Sequence, residues 1–276
     1  MTIHVRLVDH THDPMRSLYL AYRTCYSSLT PIEILDRIDD ERITAEQMQT
    51  FVEERLKTGH TSPLEQCWFE FAISGVTRAF SHQFVRHRIG ISFEQQSQRY
   101  VFYKGGEFPY TVPETVVRAG LKEKMEDLFK QVGDLYLEMV EAGVPAEDAR
   151  FVLPNATNTN FKVTVNFLEM LHISDLRLCT RAQWEFRRTV ALMRAEINRR
   201  FPQLGMYLQP KCGERRMGYC DESVKDWEAC PIGRKRPHKQ QLLDLFANYR
   251  KGEEKPLDED DFRVIAEVPG GDQIID

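Results

Sequence analysis

One stretch limits the fold more than any other. Residues 67–75, CWFEFAISG, run straight into residues 76–88, VTRAFSHQFVRHR. In the first half Phe69, Phe71 and Ile73 alternate with Trp68, Glu70 and Ala72. A two-residue period rich in aromatics predicts a strand with a well-covered face. In the second half Val76, Phe80 and Phe84 fall at i, i+4 and i+8, which predicts a helix. On that helix Gln83, Arg86 and His87 would share another face.

The flanking sequence repeats this mixture. Residues 1–10 read as a strand, and residues 13–27 as a helix with Met15, Leu18, Ala21 and Tyr22 at helical spacing. Residues 44–59 read as a second helix, with Thr44 as N-cap, Gln47 three residues on and Gly59 as a stop. A long amphipathic helix is expected over residues 114–142. A short helix follows, opened by Pro145 and stopped before Pro154. Residues 157–167 are β-rich, and residues 166–176 and 181–201 read as helices. The expectation is an α+β protein with a mixed or antiparallel sheet and long helices. From residue 206 the texture becomes glycine-, cysteine- and charge-rich. That divides the chain into a catalytic domain, residues 1–205, and an extension, residues 206–276, holding a short helix (residues 238–250) and an acidic tail.

The formal net charge of −5 excludes a general polyanion-binding surface, so any phosphate site must be local. Residues 78–99 supply one: four arginines stand against a single glutamate. Arginine forks match phosphate and carbonyl oxygens, and glutamine both donates and accepts. Gln83, Arg86 and His87, followed by Gln95, Gln96, Ser97, Gln98 and Arg99, suit a ligand with a phosphate at one end and an amide-like ring at the other. A pyrimidine nucleotide is such a ligand. The plain alternative is a solvated basic face or a salt-bridged element at a subunit contact.

Four separated motifs add to this. TGHTSPLEQ, RHR with SQRY, GVPAEDARFVLP and LRLCTRAQWE occur in that order within about residues 50–200. Together they resemble the flavin-dependent thymidylate synthases. The resemblance implies an α+β homotetramer with sites at subunit junctions. It implies methylation of dUMP to dTMP, with methylenetetrahydrofolate as carbon donor, FAD as flavin and NADPH as its reductant. His60 and Ser62 would then approach the FAD, although the family usually has Thr where Ser62 stands. Gln83 and Arg86 match nucleotide contacts, while Arg86, His87 and Arg88 match flavin contacts. Gln95, Gln96, Ser97, Gln98 and Arg99 match the loop around the dUMP phosphate and base, with Gln95 also close to the cofactor. Arg150 matches an arginine directed at the nucleotide, and Asn166 and His172 match flavin-side positions. Arg177 matches the arginine that polarises the uracil ring, the catalytic role.

The chain departs from the family pattern at three places. Eight residues separate Arg88 from Ser97 where seven are usual, implying a bulge at residues 90–91 or a shifted register. Gln95 replaces a commonly acidic residue, and Leu168 stands where many members carry Arg. Two other functions stay open: a paralogue methylating UMP or another pyrimidine nucleotide, and a non-catalytic nucleotide- or flavin-binding protein. Ser97 has no His–Asp partner near it in sequence and reads as a phosphate or hydroxyl contact rather than a nucleophile.

Six cysteines without an apolar signal segment predict reduced thiols and a cytoplasmic location. No stretch approaches the roughly 18–20 apolar residues of a membrane span. Cys25 and Cys67 read as core residues. Cys179, Cys212, Cys220 and Cys230 could hold a structural zinc, but the C-x7-C and C-x9-C spacings lack a tight knuckle and favour free thiols, so no metal is expected. The basic run at residues 233–239 reads as solvated surface rather than a nucleic-acid site.

Overall fold

The structure, a computed structural model, describes residues 2–232 and 236–251, the last four by backbone alone. The acidic tail and residues 233–235 of the basic run lie outside the described residues. Strand β1 (His4–His10) leads into helices α1 (Pro14–Tyr26), α2 (Pro31–Asp39) and α3 (Ala45–Leu56). After a 3-10 turn at Ser62–Gln66 come β2 (Trp68–Thr77), α4 (Arg78–Phe84) and β3 (Ile91–Gln95). Helices α5 (Glu114–Arg118), α6 (Lys122–Glu141) and α7 (Ala146–Ala149) precede β4 (Asn158–Asn166). The chain then forms α8 (Phe167–Arg177), α9 (Trp184–Arg200), α10 (Pro202–Gly205), α11 (Val224–Ala229) and α12 (Lys239–Lys251).

The strands form one antiparallel sheet in the order β1-β2-β4-β3. Phe69, Phe71, Val163 and Val165 are fully buried on its covered face, each contributing roughly 1.5–3 kcal/mol of burial. Phe80 and Phe84 of α4 then meet Phe161 of β4 and Phe186 of α9. Phe84 lies 5.6 Å from Phe161 and 5.5 Å from Phe186, ring centre to ring centre, both edge-to-face. This aromatic nest fixes α4 and α9 against the sheet. A second brace is polar: the N–H and hydroxyl of Thr77 both donate to the buried carboxylate of Glu185, each at 2.7 Å.

Capping explains several boundaries. Asp13 accepts from the Arg16 N–H with Pro14 at the first helical position. Thr44 and Gln47 form the expected reciprocal box on α3. Helix α2 has the same box, Thr30 with Glu33, and Pro31 in its first turn. This helix lies outside the elements expected above, although T-P-x-E carries its signature.

Three expected helices change. Helix α4 stops at Phe84, well short of residue 88. Beyond it the Arg86 and His87 N–H groups reach back three residues, to the carbonyls of Gln83 and Phe84. That tightening moves His87 off the predicted face shared with Gln83 and Arg86. The helix over residues 114–142 is two helices, because Gly120 takes a φ of +70° between α5 and α6. Helix α9 begins at Trp184, with Gln183 accepting from the Phe186 N–H as its cap. Among the cysteines, Cys67 is buried as expected, but Cys25 is exposed on α1. No helix among the described residues is long and apolar enough to cross a membrane.

Candidate active site

Arg177, at the last turn of α8, lies over the face of Phe186, 4.5 Å from the ring centre. Its Nε–H donates to Nε2 of His87 at 3.3 Å. A guanidinium only donates, so Nε2 carries the lone pair and Nδ1 the proton. That Nδ1–H donates to Oε1 of Glu169 at 2.9 Å. Glu169 is on the first turn of α8, where its N–H donates to the capping side chain of Asn166. The result is a buried relay in which Glu169 orients His87 and His87 orients Arg177. Burial lowers the Arg177 pKa, and among the described residues no carboxylate neutralises it. A half-buried cation facing an aromatic wall is suited to stabilising negative charge that appears on a flat ligand.

His87, Glu169 and His172 offer ligand atoms within 4.8 Å of one another. Both nitrogens of His87 are already engaged, one by a carboxylate and one by a cation. The group is therefore a hydrogen-bonded brace rather than a metal set. His172 is exposed on α8, its ring centre 5.8 Å from that of His87. Arg86 and Arg88 are exposed on either side of the buried His87.

A second cationic group lies at the start of α4. Arg78 has its pKa lowered, first by burial and then by the adjacent Arg150. Arg150 anchors its Nε on the carbonyl of Glu147 at 3.0 Å. Two neighbouring guanidiniums with no carboxylate between them among the described residues are suited to holding an anion. The sequence reading counted Arg78 in the cationic stretch but gave it no site role. The signal was present, since Arg78 opens the helix that carries Gln83. Gln83 itself bonds back to Ala79 in its own helix at 3.4 Å.

The loop at residues 95–99 is tied at one end and open at the other. Gln95 donates to Thr159 at 3.3 Å, and Gln96 accepts from Asn160 at 2.6 Å, so each amide is tied to β4 through one of its two polar atoms. Ser97 accepts from the Arg99 N–H. The Nε2 of Gln98 is buried without a partner, and Arg99 pairs with Glu147 at the surface. Gly90 takes a φ of +70°, with its α-carbon against the side chain of Asn166. From Ile91 to Gln95 the ladder with β4 is regular, and the left-handed turn at Gly90 lies just before it.

His60 and Ser62 form a group of their own. The His60 ring bonds Tyr26 Oη at 2.9 Å and Ser62 Oγ at 3.0 Å, and it packs edge-on to Tyr22. Asp175, two residues before Arg177, is buried against Arg215 and Arg216 of the extension, the second at 2.7 Å.

An antiparallel sheet whose helices present unneutralised guanidiniums around a braced arginine is the layout of an enzyme acting on an anionic, ring-bearing ligand. Comparison with known proteins makes this particular. The Thymidylate synthase complementing protein family matches residues 6–203. The flavin-dependent thymidylate synthase of Geobacter sulfurreducens is 44% identical over 184 residues, 66% of this chain and 77% of that protein. The enzyme of the same name from Nitratidesulfovibrio vulgaris is 39% identical, covering 80% of this chain and 92% of its own length. Among solved structures, the UMP/dUMP methylase PolB from Streptomyces cacaoi superposes with a TM-score of 0.62 at 18% identity, over 75% of this chain and 94% of that one. The chain belongs to the flavin-dependent thymidylate synthase family.

Proposed function

We propose that this chain converts dUMP to dTMP by reductive methylation, with methylenetetrahydrofolate as carbon donor and NADPH as reductant. The observation that carries the reading is Arg177, a half-buried cation with no carboxylate partner among the described residues, stationed by Glu169 and His87 in a chain of this family. FAD fits the donor set. Arg86 and Arg88 flank the site exposed and unpaired with carboxylates among the described residues, and with the exposed His172 they would hold its diphosphate and ring. When bound, FAD supplies the reducing equivalents.

The chain's own groups bind and orient. Arg78 and Arg150 take the nucleotide phosphate, with Gln83, Ser97 and Arg99 around it. Gln98, whose buried amide nitrogen is unpartnered, donates to the nucleotide once it is present. Arg177 faces the uracil edge and stabilises negative charge developing on the ring. Ser97 reads as a contact rather than a nucleophile, because its Oγ accepts a backbone N–H and no base is bonded to it among the described residues. Gln95 and Gln96 act by fixing the loop to β4 rather than by touching the base. Asn166 caps α8 and fills the space at Gly90, and His60 with Ser62 serves the cofactor side.

The assembly is a homotetramer in this reading. Ile89, Tyr100 and Phe151 are 80%, 77% and 82% exposed, each next in the chain to an arginine of the site. Apolar surface of that kind beside a site suits a subunit junction. The boundary is placed near residue 205, where the texture of the sequence changes just past the family match of residues 6–203. The cytoplasmic location remains part of the proposal.

Purified protein tests all of this. It should be yellow, its flavin absorbance should bleach under NADPH, and it should release tritium from 5-labelled dUMP. Colourless protein that takes up no FAD overturns the enzyme reading. Release from UMP alone moves the substrate to the ribonucleotide.

A further inference from the structure

The extension has little to hold it together. Beyond Leu208 only Gly213, Cys220 and His238 are buried among the described residues. A segment this poor in core needs a staple. The four cysteines that the sequence spaces so widely meet in space. Cys179 follows α8, Cys212 lies after α10, Cys220 pairs in parallel with His238, and Cys230 caps α11. All four line one cavity of about 20 Å³.

We propose that Cys179, Cys212, Cys220 and Cys230 bind one zinc ion as four thiolates, pinning the extension to the end of helix α8. The volume decides between occupants. A cavity of this size takes one water or one ion and excludes an iron–sulfur cluster. Closing the four sulfurs on a tetrahedral ion at about 2.3 Å would fill it. The backbone already fixes the thiol-bearing residues: the Cys220 N–H donates to Pro237 O and its carbonyl accepts from the Lys239 N–H, both at 2.8 Å. Four thiolates around zinc leave a net double negative charge. Arg181 and Lys211 line the same cavity, each already paired with Asp226 or Glu222 there, so they offset that charge only in part.

Thiols gathered around one ion-sized space are suited to a metal that displaces their protons.

The test uses the full chain. Elemental analysis after purification should find one zinc per chain. Replacement with Co²⁺ should give thiolate charge-transfer bands and the intense visible bands of a tetrahedral site. Cys230→Ser should lose the metal, while Cys25→Ser, at the exposed cysteine of α1, should keep it. The cobalt spectrum of the unaltered protein needs no variant, so misfolding of Cys230→Ser does not decide the matter. Absence of zinc together with absence of thiolate–cobalt bands overturns the proposal. So does iron in place of zinc, or a disulfide among the four cysteines in the freshly purified chain.

Discussion

The Nε–H of Arg177 donates to His87 at 3.3 Å, and His87 in turn donates to Glu169. Arg177 therefore sits where another side chain holds it. His87→Phe keeps the ring but removes the lone pair. Steady-state assays should show kcat reduced by up to about 100-fold, the scale of a misplaced group, with little change in KM for dUMP. Arg177→Ala should abolish turnover and leave flavin bound, read by absorbance. Equal losses in kcat and in nucleotide affinity for His87→Phe would mean that it acts on binding rather than through Arg177.

Arg78 and Arg150 should read the phosphate alone. Charged hydrogen bonds contribute about 1.5–3 kcal/mol each, so Arg78→Ala or Arg150→Ala should weaken dUMP binding by roughly 10–100-fold. Deoxyuridine, which lacks the phosphate, should bind the variants as it binds the unaltered protein. Calorimetry with both ligands checks this, and parallel losses for the two would reject the assignment.

Gly90→Ala should destabilise the fold. An alanine at φ +70° costs about 1–2 kcal/mol, and its methyl would collide with the side chain of Asn166. Displacing Asn166 also removes the cap of α8, worth about 1 kcal/mol. A lowered Tm in scanning calorimetry is expected, and an unchanged one would contradict the turn geometry.

Cys67 gives a pH signature. Burial raises its thiol to about 12, with a hydrogen bond to Thr11 working weakly the other way. The folded value lies above the unfolded one, so the contribution is complete below the ordinary thiol range and is lost as pH rises through it toward 12. Stability should fall there by up to about 1.4 kcal/mol per pH unit. Urea unfolding of Cys67→Ala against the unaltered protein should show a shallower alkaline slope, and matching slopes would refute it.

Much of this was legible in the chain because local chemistry and burial agree. Thr44 with Gln47 marked α3, and the alternation through Phe69 and Phe71 marked the central strand. Periodicity misled at residues 85–88, where apolar spacing continues through a turn that tightens and carries His87 inward. It also ran across Gly120, whose conformation is set by φ and not by pattern. Arg78 is visible among the four arginines of residues 78–99, but its pairing with Arg150, far away in sequence, is not. The four cysteines stood out as a possible zinc set, but their loose spacing favoured free thiols; the docking of the extension on α8 is what lines one cavity with all four.

That docking has a practical side. A chain cut near residue 205 would look like a tidy catalytic unit, since the family match ends at 203. It would strip Arg215 and Arg216 from Asp175, two residues from Arg177, and uncover the end of α8 that the extension packs on. Anyone trimming this protein for crystallisation or engineering should cut beyond Arg216.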